Sequence, residues 1–398
     1  MKQSIVKLSL GVALLAVAYS CSKDDGNTPD PQAATCDDGI QNGDETGVDC
    51  GGSACAPCAV DNILEGDVTT DVTLDAAIGY ELAGAYVVRS GASLTIPAGT
   101  VISATGGTSA YIAVERGAQI FINGNASAPV VMTSGSSNPA PGDWGGLVVC
   151  GDAPTNKGSN VTSEVADLTY GGSNMMDNSG SIRYLRVEYT GATFSNDKEF
   201  NGVSLFGVGA GTTFEYVQSY QGGDDGIEFF GGTVSGDYLV STGSGDDSID
   251  FADGWQGNGS FWYIKDGAKA GIEGSNNGDD GNASPVTTTT LSNITVVGPV
   301  TEGALYFKEG GGSFTITNFY TDAIDLGVKV KDTDAEAAVR IENGDLSINP
   351  MQFDNPAAGF EITDYIGANQ SFVVEGPTSG AGNGAAAPNW ASGWTSGL

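Results

Sequence analysis

From about residue 62 onward, short runs rich in Val, Ile, Phe and Tyr alternate with glycine-rich breaks, and apolar and polar positions alternate within the runs. That period of two belongs to β-strands with one buried face. "SGASLTIPAGTVI" from Ser90 and "RGAQIFINGNASA" from Arg116 share Gly-Ala-x-apolar-x-Ile, with Gly91 and Gly117 set 26 residues apart. The clearest unit, "EYVQSYQGGDDGIEFFGGTVSG" from Glu215 to Gly236, aligns without a gap on "DYLVSTGSGDDSIDFADGWQGN" from Asp237 to Asn258. Weaker copies follow at "KAGIEG", "EGALYF" and "TDAIDL", beginning at Lys269, Glu302 and Thr321.

A self-similar β period in the twenties predicts a solenoid. Propeller blades need about 40 residues and leucine-rich repeats a helical arm, and no long amphipathic helical stretch follows residue 60. The predicted fold is all-β: a parallel β-helix one strand thick, with two or three short strands per coil. Roughly a dozen to fifteen coils would stack ~4.8 Å apart. Ile227 and Phe229 would then point inward over Ile249 and Phe251, with Glu228 and Asp250 pointing outward between them. Longer loops are expected at "GATFSNDKEFNG" and "GSNNGDDGNASP", and Trp390 and Trp394 are expected to cap the C-terminal end of the stack. A β-sandwich or jelly roll is the alternative.

The N-terminal sixty residues follow other rules. "MKQSIVK" is basic, and "LSLGVALLAVAY" is an apolar run shorter than the ~20 residues that span a bilayer. Residues 1–20 read as a signal segment, residues 21–35 as a flexible tether, 36–60 as a cysteine-rich module and 61–398 as the β-helix. Ser20 before Cys21 resembles the end of a bacterial lipoprotein signal, which implies a lipidated Cys21. An ordinary signal peptide is the alternative. Cys36, Cys50, Cys55 and Cys58 in an exported chain read as two disulfides, with a four-thiolate zinc site as the rival. Cys150 in "GGLVVCGD" reads as a small apolar strand residue.

Charge narrows the functional classes. The chain has 49 acidic and 15 basic residues, a net charge of −34, and no histidine. The charge argues against nucleic acid and anionic membrane surfaces as partners, because phosphate contacts need Lys and Arg. Cations and neutral partners are favoured. No Ser-His-Asp or Cys-His constellation can be assembled, so no catalytic residue is assigned. The repeat instead stacks acid on acid: Asp224, Asp225 and Glu228 over Asp246, Asp247 and Asp250. No basic residue lies between Lys198 and Lys265. Such a ladder, none of it expected to be buried, would be relieved by a divalent cation, and all-oxygen ligands suit Ca²⁺. Aspartates that cap corners by bonding backbone N–H groups are the competing reading. Trp255, Trp262 and Tyr263, with Glu273 of "GIEG", are candidates for contact with a glycan, and core filling or a coil corner is the favoured role for at least half of the aromatics there.

"VERGAQI", "GDWGGLVV", "GGDDGIEFFGGTV", "DDSIDFADGW", "GIEGSNN" and "WASGWTSG" together resemble a family of right-handed parallel β-helix lipoproteins from Bacteroidota. "SKDD" after Cys21 is similar to the export tag of surface lipoproteins in that group, and the cysteine stretch to one found near the N-terminus of many of its surface proteins. The resemblance implies a right-handed solenoid, anchored by lipid in the outer membrane and facing the cell exterior. "GDDSIDFADG" is also similar to the Asp-Asp pair of β-helix polygalacturonases, and "GVKVKD", with Lys329 and Lys331, to their basic motif. The Asn-Thr-Asp and His motifs of those enzymes are absent here. The sequence therefore points to a binding or adhesion module for a polysaccharide or another surface component. A carbohydrate-active enzyme and a structural or transporter-accessory protein are the alternatives.

If Cys21 is acylated, Cys21→Ser yields a soluble or unprocessed protein, whereas the parent chain partitions into the detergent phase. Identical partitioning of the two would reject the anchor.

Overall fold

The computed structural model describes residues 34–58, 62–195, 198–331 and 333–398, so the signal segment and Cys21 lie outside the described residues. The chain divides into two compact units between Asp61 and Asn62. In the first, Cys36 pairs with Cys55 and Cys50 with Cys58. All four thiols are consumed, which removes the zinc alternative. The acids of this unit shape its turns: Asp49 accepts the N–H groups of Asp38 and Gly39, and Asp44 accepts that of Ser53.

The second unit is a parallel solenoid whose coils each present three faces. The Thr213–Tyr220 strand supplies two of them, because it bends at Tyr216, whose φ of 55° turns the chain by one corner. Residues before the bend pair with 181–183 of the preceding coil and residues after it with 185–188. After a turn, Ile227–Phe230 forms the third face. Ile227 pairs in register with Ile249 and Phe229 with Phe251, all four fully buried, as the repeat alignment requires. Ten parallel pairings join the strands of this face, giving eleven rows among the described residues. Rows are fewer than a uniform coil length would give because long connections, 151–179, 189–195 with 198–202, 276–287 and 333–345, separate successive coil strands.

Two expectations need correction, and one short element was not foreseen. "TDAIDL" is not the strand of the third face. Thr321 and Asp322 end the long Ser313–Asp322 strand, and it is Val328 that pairs with Leu305. A helix, Ala335–Asn343, occupies the last excursion; Asp334 caps its N-terminus by accepting from Ala337 N–H, and Gly344 closes it at φ 82°. Both signals stand in the sequence. Trp390 and Trp394 do not cap the end of the stack.

They belong to a strap, residues 376–398, that runs back along the second face. Tyr184, Tyr216, Tyr238 and Phe261 occupy equivalent left-handed corners, φ 51–59°. Their rings stack at 4.3, 4.4 and 4.9 Å. A left-handed conformation costs an ordinary residue ~1–2 kcal/mol, and ring stacking returns ~0.5–1.5 kcal/mol per pair. Asn293 and Asn318 continue the row, joined side chain to side chain. Trp390 meets the edge of Tyr238, and Trp394 meets Tyr184 and Tyr216. Ser396 exchanges two hydrogen bonds with the Gln218 side chain, and Asn318 does the same with Gly380.

Trp394 is fully buried between strap and ladder. Trp394→Ala is expected to lower Tm by roughly 5–10 °C, the range for losing a buried Trp side chain. Ile366→Ala, at a residue 98 % exposed, should change stability by no more than about 0.5 kcal/mol. Equal melting curves for both variants would show that the strap carries no stability.

Candidate functional site

Outward positions of the third face form rows as continuous as the inward ones. Ser204, Glu228, Asp250, Glu273, Tyr306 and Lys329 follow one another in register. The row thus passes from acidic to basic along the solenoid, at the strand spacing of ~4.8 Å. Beside it, Cys150, Phe206 and Phe230 make an apolar row.

These side chains point away from the core yet are not solvated. The 151–179 excursion folds back over them, and its Val165, Leu168 and Tyr170 pack with Cys150, Phe206 and Phe230 in a second apolar cluster outside the coil. Phe206 and Phe230 stack at 4.1 Å, and Tyr170 lies 5.1 Å from Phe206. The excursion is anchored far along the chain. Asn156 Nδ2 donates to the backbone and side-chain oxygens of Asn276 at 3.0 and 3.1 Å, and Asn277 Nδ2 donates to Asn156 Oδ1 at 2.8 Å. Lys157 Nζ reaches Asp279 at 2.9 Å and Asp253 at 3.8 Å. A cleft of about 320 Å³ remains between excursion and row, walled by Glu164, Glu228, Asp250, Asp253, Glu273 and Glu309, with Tyr170 and Phe230 on its apolar side.

The six acids expected as a ladder are brought together, but most are buried, contrary to expectation. Asp225, Glu228, Asp247 and Asp250 are only 8, 8, 5 and 7 % exposed. Asp224 and Asp246 are half-buried. The corner reading holds for two of them: Asp225 Oδ1 accepts Asp247 N–H at 2.8 Å, and Asp247 Oδ1 accepts Ala270 N–H at 2.5 Å. Asn201 stands at the equivalent corner of the coil before and donates to Glu228 Oε2 at 2.5 Å. Lysines outside the 198–265 gap supply partners that the local sequence lacks. Lys269 Nζ lies 2.5 Å from Asp246 Oδ2, and Lys308 Nζ 2.6 Å from Glu273 Oε1. Asp246 Oδ1 and Asp250 Oδ1 are enclosed with no hydrogen-bond partner among the described residues.

Burial, more than mutual repulsion, sets the protonation of these groups. It pushes Glu228 and Asp250 well above the usual carboxylate range; after burial, the charge of Asp250 adds to the rise of Glu228, and that of Glu273 to the rise of Asp250. Asp225 follows for the same reason, with Asp247 as its nearest repelling charge. Burial, then Glu273, raises Asp247 to about 9, and burial, then Asp246, raises Asp224 to about 7. Asp253 reaches about 6 by burial, held back by Lys157. Chemically the cleft offers carboxylates that bind either a proton or a cation.

Of the glycan-contact candidates, only Glu273 lines the cleft. Trp255 and Trp262 are fully buried core residues whose Nε1 atoms donate to the carbonyls of Val234 and Gly236. Tyr263 lies beneath the strap and donates to Ala385 O at 2.7 Å. No ring face of these three is open to a sugar. Lys329 and Lys331 are engaged as well, with Glu302 at 2.6 Å and Glu309 at 3.8 Å. Sequence reasoning passed over Glu164, Asp253, Lys157 and Lys308. Asp253 was within reach inside the quoted "DDSIDFADGW", and Lys308 stands one residue beyond the quoted "EGALYF". Glu164 and Lys157 lie in the aperiodic excursion and gave no signal.

The raised values set a pH dependence. Stability gained by protonating these acids in the folded state is full below ~4, the unfolded carboxylate value. It is lost as pH rises through about 6, 7 and 9, for Asp253, Asp224 and Asp247 in turn. In the presence of a chelator, Tm should therefore fall from pH 5 to pH 9 by roughly 5–10 °C, and Asp224→Asn with Asp247→Asn should flatten the fall. A Tm that rises over this interval would contradict the buried ladder.

A family model described as "Pectate-lyase like beta helix domain" matches residues 66–395. No curated protein and no solved structure matches the chain. The match runs from the first strand of the solenoid to the strap, and its description names a β-helix, in keeping with the parallel stack. The chain belongs to the family of pectate-lyase-like β-helix domains.

Proposed function

We propose that this protein is a cell-surface lipoprotein, held at the outer membrane through Cys21, whose β-helix binds a glycan or glycan-bearing surface component in the cleft of the third face. Membership of a pectate-lyase-like family fits a carbohydrate-related role. At the wall of the cleft, a divalent cation is held by Glu228 and Asp250, which line it, and by Asp225 beside them; the ligand oxygens of the three lie within 4.8 Å of one another. The observation that carries this reading is Asp250: it is 7 % exposed, opens on the cleft, and keeps Oδ1 without a partner. A buried carboxylate oxygen in that state is costly unless a donor or cation meets it. Ligands that are all oxygen favour Ca²⁺, which tolerates irregular six- to eight-fold coordination. Sugar hydroxyls can complete such a sphere. Asp247, bonded to the Ala270 N–H, orients the corner.

A second reading is a carbohydrate-active enzyme. It rests on Asp253, raised to about 6, facing the cleft together with Glu164, itself raised by burial. A carboxyl of that kind can act as a general acid.

The test is a glycan array probed with the full chain, with calcium and with chelator, followed by incubation of each bound glycan with the protein. Calcium-dependent binding that Asp250→Asn weakens at least tenfold, with no new reducing ends, supports the binding module. New reducing ends that vanish in Asp253→Asn would favour the enzyme. Binding indifferent to both calcium and Asp250→Asn would remove the cation from the account.

A further inference from the structure

The C-terminal end of the solenoid has no cap among the described residues. Its last strands, Glu361–Thr363 and Val373–Glu375, pair with the preceding coils on one edge, and no described strand pairs with the other. Phe353, Phe360, Tyr365 and Val373 pack against the core from this end and are only partly buried. Beyond them Val374 is 42 % exposed and Ile366 98 %. Terminal coils of solenoids ordinarily carry a polar outer face, and open strand edges invite pairing. This end therefore needs a cover.

Ile366 is both exposed and fixed. It sits in the 364–372 connection, where Tyr365 Oη donates to Glu342 Oε1 and Asn369 Nδ2 to Ile341 O, each at 2.6 Å. Gln370 Nε2 closes the loop on the carbonyls of Tyr365 and Gly367, each at 2.9 Å. A side chain held this way offers apolar area with little ordering left to lose. Beside it lies a cavity of about 430 Å³, lined by Val330, Ala338, Tyr365 and Ile366 itself, and by the charged Lys331 and Asp364. Among the described residues the Lys331 ammonium pairs only with Glu309, at a long 3.8 Å.

We propose that two copies of this chain meet end to end through this patch, related by a two-fold axis beside Ile366. Knob and hole stand on the same patch, and so do a cation and an anion. An isologous contact requires that self-complementarity: Ile366 of each copy enters the cavity of the other, and Lys331 of each faces the other's Asp364. The strand edge fits the same symmetry. Paired antiparallel with its own copy about Ile362, Glu361–Thr363 sets Glu361 opposite Thr363, so no like charges oppose. A head-to-tail contact would instead set this end on the first coil, with its Glu65, Asp67, Asp71 and Asp75, and would grow into filaments.

The experiment is sedimentation of the full chain, with detergent present, in ~0.15 M salt, which screens the repulsion between like-charged chains. The mass should rise from one chain to two with concentration. Ile366→Glu sets two carboxylates at the axis and should weaken association at least tenfold, with an unchanged circular dichroism spectrum to show that it folds. Met176→Glu, at another exposed apolar residue, should associate as the parent does. Ile366→Cys, once oxidised, should run as a disulfide-linked dimer under non-reducing conditions. A chain that stays monomeric up to ~100 µM, where a micromolar contact is filled, overturns the proposal. So does a dimer that survives Ile366→Glu, or a mass that climbs past two chains without limit. Ile366→Cys that cross-links on cells to a different protein, and never to itself, gives this end to another partner and overturns the dimer.

Discussion

Everything in the solenoid follows from the parallel hydrogen-bond ladder, which sets each residue directly over its equivalent in the coil before, ~4.8 Å away. Stacking like on like is favourable for some side chains and unfavourable for others. Inside, Ile227 over Ile249 and Phe229 over Phe251 make unbroken apolar columns. At the left-handed corner, ring lies on ring and then amide on amide. On the third face the same rule sets Glu228 over Asp250 over Glu273. The register that builds the core is the one that crowds the carboxylates, so neither can be relaxed without the other.

Crowding alone would matter little in water, where two charges 5 Å apart interact by only ~1 kcal/mol and salt screens them further. The 151–179 excursion changes that. By laying Val165, Leu168 and Tyr170 on Phe206 and Phe230, it gains apolar burial and takes the adjacent acids out of solvent. Burial is accordingly the first cause of every large carboxylate shift in the cleft. The cover and the ladder form one device: the first supplies stability, and the second consumes part of it to hold a site that must bind a proton or a cation.

The parts of this arrangement that were legible in the sequence share one property, a fixed offset. An alignment without a gap from Glu215 to Asn258 places Asp225 over Asp247 and Ile227 over Ile249, because coil neighbours are then a constant number of residues apart. Contacts without an offset left no trace. Asn156 meets Asn276 across 120 residues, and Arg186 meets the Trp394 carbonyl across 208. For the same reason the acids read as exposed: alternation tells which face a residue takes, not whether another segment covers that face. Trp255 and Trp262 illustrate the converse. Aromatic rings beside acids fit a sugar platform or a core equally well by pattern, and only the third dimension, with Phe229 4.7 Å from the Trp255 ring, separates the two. "TDAIDL" misled because Ile324 and Asp325 fall in the turn after the Ser313–Asp322 strand, and the third-face strand begins only at Leu326.

The strap on the opposite side bears on the site through rigidity. It touches five coils, through Asn318, Thr295, Tyr263, Gln218 and Arg186. These are the coils whose third faces carry Lys329, Tyr306, Glu273, Glu228 and Ser204. A coil that slid or splayed would have to break its bond to the strap as well as its ladder. Spacing within the acid row is thus fixed from both sides, by the clamped cover and by the strap. A site of fixed, strand-determined spacing cannot contract around a small ion that requires octahedral ligands at ~2.0–2.1 Å. It suits an ion content with ligands at ~2.3–2.6 Å in irregular number, completed by whatever oxygens enter the open mouth of the cleft. On the proposed cation reading, rigidity of the scaffold, and not the identity of any single carboxylate, would set the preference of this acidic row.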